Sequence, residues 1–150
     1  MYGFDDTHVI LSKKQYTLWR RPLVVGLELR GVLSDAVSDA WRADVADEFA
    51  RGGYPRFYAM DARSVEPEST MAARYRTAVF VKESLQKLEW AVVHIASAKS
   101  LVVVRTVLRV VGLGNCSLVE AESDFHAAID EMRNGRRPAL APAVTGSLRT

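Results

Sequence analysis

Hydrophobic positions change their period several times along the chain, and each change predicts a new element. His8 to Leu11 is a short apolar run. Gln15 to Arg20 sets Tyr16, Leu18 and Arg20 against Gln15, Thr17 and Trp19, and Leu23 to Arg30 puts Leu23, Val25, Leu27 and Leu29 on one face. A period of two predicts β-strands. The Arg21-Pro22 pair between them marks a turn or a bulge, because proline has no N–H to give a central ladder. Gly31 is expected to take the chain out of the sheet, which leaves an antiparallel opening of two or three strands.

From Ser34 the period becomes helical. Ser34 is a good N-cap and Asp35 suits the positive end of a helix dipole. Val37, Trp41, Val45 and Phe49 recur every fourth residue, and Gly52-Gly53 stop the helix. Arg56 to Met60 reads as a short strand ending at Asp61. A second helix is expected from about Pro67 to Leu88, the longest element, with Met71, Tyr75, Ala78, Val79 and Leu85 inward. Trp90 to Ala96 is a continuous apolar run, as a strand covered on both faces requires.

Lys99 to Gly112 is valine-rich, yet Leu101, Val104, Leu108 and Val111 keep helical spacing, so a third helix is expected. Val102, Val103, Val107 and Val110 form a second apolar set on it. They belong either to the core or to a patch that meets a partner or a second copy. Cys116 to Val119 is a last short strand. Ser123 is expected to cap a closing helix carrying Phe125, Ala128, Ile129 and Met132. Periodicity ends at Asn134, so the domain is read as 1–133 and the tail 134–150 as flexible. The fold class is α/β, with a mixed, largely parallel β-sheet of about five to six strands and four helices.

Composition narrows the function. At 150 residues the chain is one ordinary domain, and its net charge of +2 with scattered arginines gives no basic stripe for nucleic acid. A single cysteine, Cys116, excludes an internal disulfide. Leu101 to Leu113 is broken by Arg105 and Arg109 and is too short for stable membrane insertion. The opening MYGFDDTHVI lacks a signal-type apolar core, so a cytoplasmic protein is expected. His8, His94 and His126 have no metal-ligand spacing; His94 is expected in the core and His126 on the surface. Gly112-Leu113-Gly114 follows a helix and lacks the third glycine of a dinucleotide fingerprint. No catalytic signature occurs, so no cofactor and no enzymatic activity are expected.

Four stretches carry a resemblance: LVVGLELRG at 23–31, FYAMDARSV at 57–65, VRTVLRVVGL at 104–113 and SLVEAESDFHAAIDEM at 117–132. In this order and spacing they resemble the STAS domains, the anti-sigma factor antagonist family with its SpoIIAA-like relatives. The resemblance implies a regulatory protein-interaction module of a bacterial signalling pathway. Its partner would be a kinase-type anti-sigma regulator or other STAS-like domains. It also implies a phosphorylation site after the central strand, where an acid, two Ser/Thr residues and a glycine are usual. Here Glu68, Ser69 and Thr70 are followed by Met71. Candidate phosphoacceptors are therefore Ser69, Thr70 and Ser64, each with a capping role as the alternative. Candidate partner-binding residues are Asp61, Arg63, Arg74, Val103, Val107 and Val110. The altered site also leaves room for a SpoIIAA-like domain that binds a small apolar or lipid ligand between its helices and sheet.

Overall fold

The computed structural model describes residues 7–67 and 70–143. The elements in chain order are β1 (His8–Ser12), β2 (Tyr16–Arg21), β3 (Val24–Leu33), α1 (Asp35–Gly52), β4 (Phe57–Pro67), α2 (Met71–Ser84), β5 (Trp90–His94), α3 (Ala98–Val111), β6 (Cys116–Val119) and α4 (Glu122–Arg133). The six strands form one mixed sheet in sequence order. β1, β2 and β3 pair antiparallel; β3 to β6 pair parallel, each joined to the next by a helix.

Alternation across the strands feeds two cores. On one face Leu18, Leu27, Tyr58 and Val93 meet Trp41, Val45 and Phe49 of α1, Phe80 and Val81 of α2, and Leu108 of α3. On the other, Trp19, Phe57, Trp90 and Val92 meet Phe125, Ile129 and Met132 of α4. Three helices therefore cover one face and one helix the other. Strand β5 is buried along its whole length, as its unbroken apolar run requires.

Several expected boundaries move. Gly31 adopts a positive φ but does not end β3; pairing continues through Gly31↔Val65 to Leu33↔Pro67, past a bulge between Glu28 and Arg30. Accordingly β4 does not stop at Asp61. Beyond Asp61 the stretch 62–67 is held as strand by β3 alone, since β5 pairs only as far as Asp61↔His94. Ser64 thus lies in a strand, not at a helix cap or in a loop. Helix α2 begins at Met71 rather than near Pro67, and α1, at 18 residues, is longer than the 14 of α2.

The rotation of α2 also differs from expectation. Ala73, Phe80 and Val81 are buried, whereas Met71 and Tyr75 are 75% and 72% exposed. The final helix is capped by Ala121 with no side-chain bond, not by Ser123. Beyond α4 the chain packs back onto the sheet: Ser117 Oγ donates to Ala141 O at 2.8 Å, Ala143 N donates to Cys116 O at 2.7 Å, and the Arg137 guanidinium lies 3.7 Å from the Trp90 ring centroid. The packed structure therefore reaches past Arg133 to Ala143. No helix among the described residues is long and apolar enough to cross a membrane.

Candidate functional site

A cavity of about 120 Å³ lies between the sheet and α1, α2 and α3. Its floor is Leu29, Met60, Ala62 and Val93. Trp41 of α1 and Phe80 of α2 form one wall, their rings edge-to-face at 5.4 Å, and Val103, Val104, Val107 and Leu108 of α3 form the other. The extended β3–β4 ladder adds Leu33 and Val65 at one end. Among the described residues no carboxylate lines it.

The α1–α2 side of this cavity is a polar seam. Arg42 is buried in it and donates to Ala73 O and Thr77 Oγ1 of α2 and to Asp39 of its own helix. Asp39 also receives Arg76 of α2, and these guanidinium contacts hold its carboxyl below the usual range. At the helix starts, Asp35 accepts from Thr70 N at 2.9 Å and Thr70 Oγ1 at 2.6 Å, while Thr70 Oγ1 accepts from Ala73 N as the N-cap of α2. α2 is therefore fixed to α1 by directed bonds. The α3 wall of the cavity is made of Ser100 and aliphatic side chains, whose packing is non-directional.

Two buried polar atoms on the lining have no hydrogen-bond partner among the described residues: Trp41 Nε1 and Ser100 Oγ. Native proteins rarely leave such atoms unpaired. Cys116 also borders the cavity, and burial pushes its thiol up to about 12, so it stays neutral and unreactive.

A second polar cluster sits on the α4 face, at the carboxyl end of the β4–β5 pairing. His94 Nδ1 lies 3.4 Å from Asp61 Oδ1, and Arg63 bridges Asp61 (3.4 Å) to Glu122 (2.5 Å). The Arg63 amide donates to Asp61 at 3.2 Å, and the His94 ring stacks on Phe125. Arg63 holds the Glu122 carboxyl below its usual range. Arg63 thus serves both carboxylates, and among the described residues no serine, threonine or cysteine is bonded to His94.

The residues singled out from the sequence do not converge on one place. Asp61 and Arg63 belong to the α4-face cluster. Arg74, Val103 and Val107 line the cavity, while Val110, 76% exposed, lies on the outer surface of α3. Thr70 caps α2, Ser64 is exposed on β4, and Ser69 lies outside the described residues. His94 is buried and His126 exposed, as expected, and Cys116 is buried as well. Trp41, Phe80 and Ser100 were not legible as site residues, because each reads as ordinary core or helix cap until three helices are placed together.

No family model matches the chain, and no curated protein matches it in sequence. Among solved structures it is similar to the crystal structure of an uncharacterized protein from the DUF3478 family with a SpoIIAA-like fold, from Shewanella loihica PV-4. The TM-score is 0.50, over 79% of this chain and 88% of that chain, at 10% sequence identity. The fold is SpoIIAA-like. At that identity the likeness speaks for the fold alone, and within the SpoIIAA-like fold the cavity, its seam and its two orphaned donors are what this chain offers chemically.

Proposed function

We propose that the chain is a non-catalytic binding module whose ligand is a small apolar molecule held between α1–α3 and the sheet. The apolar cavity carries this reading. A dry cavity of roughly 150 Å³ suffices for benzene, whereas drug-sized ligands need at least about 300 Å³. The space here, about 120 Å³, is smaller than either, which limits a ligand to a single small ring or a short branched chain. Toluene is a suitable probe. At ten times its dissociation constant it should stabilise the fold by about 1.4 kcal/mol, a rise of roughly 3–6 °C in melting temperature for a domain of this size. Val104→Phe, which fills the cavity from α3, should abolish the rise. An unchanged melting temperature in wild type would refute the reading.

One observation favours a second reading, a protein-interaction surface. Met71, Tyr75 and Val79 expose an apolar stripe on α2, and Val102 and Val110 are exposed on α3 beside Lys99, Arg105 and Arg109. Exposed apolar side chains rimmed by one sign of charge suit an acidic partner surface. On this reading the partner is a kinase-type anti-sigma regulator or another STAS-like domain, with Thr70, Ser64 or Ser69 as the phosphorylated switch. Val110→Glu should then weaken a complex with such a purified regulator at least tenfold while leaving toluene binding intact. Equal affinity in the variant would remove α3 from the interface.

A further inference from the structure

Charge changes sign between α3 and α4. Between Glu89 and Glu120 the chain has no acid, and Lys99, Arg105 and Arg109 of α3 lie there. Between Arg109 and Arg133 it has no lysine or arginine, and Glu120, Glu122, Asp124, Asp130 and Glu131 lie there instead. On α3 the three cations share one helix face with Val102 and Val110, since all five follow the spacing of three, four and seven residues. All five are exposed, the two valines by 64% and 76%. On α4, Asp124, Ala127, Ala128 and Glu131 repeat at the same spacing and form one wall of an open groove of about 400 Å³. Pro138, Ala139 and Leu140 form the other wall. Arg136 holds Glu131, so Asp124 is the groove acid that has no ion pair among the described residues. An apolar face rimmed by cations and an apolar groove edged by acid are complementary.

Resting on the second reading, in which α3 is a contact surface, we propose that its occupant is a second copy of this chain. The α3 face, led by Val110, docks into the α4 groove with Arg105 and Arg109 towards Asp124. α1, α2 and α3 cover one face of the sheet and α4 the other. The two surfaces therefore face apart, and two copies cannot satisfy both contacts at once. Such a contact is heterologous, so each docking leaves one groove and one α3 face open for the next copy. The product is a series of oligomers that grows with concentration, not a closed dimer. Pairing α3 with α3 would instead set Arg105 and Arg109 against their own copies, like charge against like.

Analytical ultracentrifugation of the full chain, at low salt and at about 0.5 M salt, reads the contact, because salt screens exposed charges. Wild type should form the series at low salt, and the added salt should weaken association at least tenfold. The double variant Arg105→Glu, Arg109→Glu and the single variant Asp124→Lys alter only exposed positions, so both should fold. Each alone should stay monomeric where wild type associates. Their equimolar mixture should associate again, because one chain brings an intact groove and the other an intact α3 face. A wild type that stays monomeric up to millimolar concentration overturns the assignment, and the regulator measurement with Val110→Glu then decides the second reading on its own. Association that survives in either variant alone, or a mixture that stays monomeric, overturns it as well.

Discussion

Gly26 lies directly beneath the indole of Trp19, its cross-strand neighbour, and a Cβ there would come within 1.9 Å of the ring. No side chain fits unless Trp19 leaves the α4-face core. Gly26→Ala should therefore cost about 1–3 kcal/mol in chemical denaturation, with a changed near-ultraviolet signal as the tryptophan moves. Thr70 is a second position where one side chain does two things, capping α2 and bonding Asp35. Thr70→Ala should destabilise by about 1 kcal/mol, the usual loss for a removed N-cap. Its hydrogen bonds hold the Asp35 carboxyl below 3.8, so their contribution is complete above that pH and is lost as pH falls through the lowered value. In Thr70→Ala the Asp35 titration, followed by NMR, should move up towards 3.8. A phosphate on Thr70 would stand against Asp35, which is why the cap is the better-supported role for this hydroxyl.

At the scale of elements, the rotation of α2 decides which residues build the site. Its apolar residues occupy two faces, so Met71-Tyr75-Val79 and Ala73-Phe80-Val81 are both acceptable stripes on periodicity alone. The choice is made by Arg42, which reaches from α1 to Ala73 O and Thr77 and so turns that side inward. Phe80→Ala should accordingly cost about 3–5 kcal/mol, whereas Tyr75→Glu should stay within about 0.5 kcal/mol; denaturant midpoints of the two variants check the rotation. The extension of β4 was illegible for a related reason. Arg63, Ser64 and Glu66 read as a polar loop, and only the neighbouring β3 supplies the ladder that makes them strand. By contrast α1, β5, α3 and β6 were legible, because Trp41-Val45-Phe49, the run from Trp90, and Gly112 each satisfy a local rule that tertiary packing does not override.

Across the whole molecule, the order of strands and helices could be read from changes in hydrophobic period, but the cavity could not. It exists because three helices meet one sheet face with valine, alanine and serine where bulkier groups would close the space, and no single segment records that. Its margins differ in kind: directed bonds join α1 and α2, while Val103, Val104 and Val107 on the α3 wall offer only packing. Movement of α3 is thus the cheapest way to admit a ligand. The most direct measurement of the binding claim is methyl NMR of the valine-labelled chain titrated with toluene. Shifts in Val104 and Val107 at substoichiometric occupancy, with Val102 and Val110 unmoved, are the predicted result. Shifts confined to Val102 and Val110 would place the ligand on the outer surface and contradict the account.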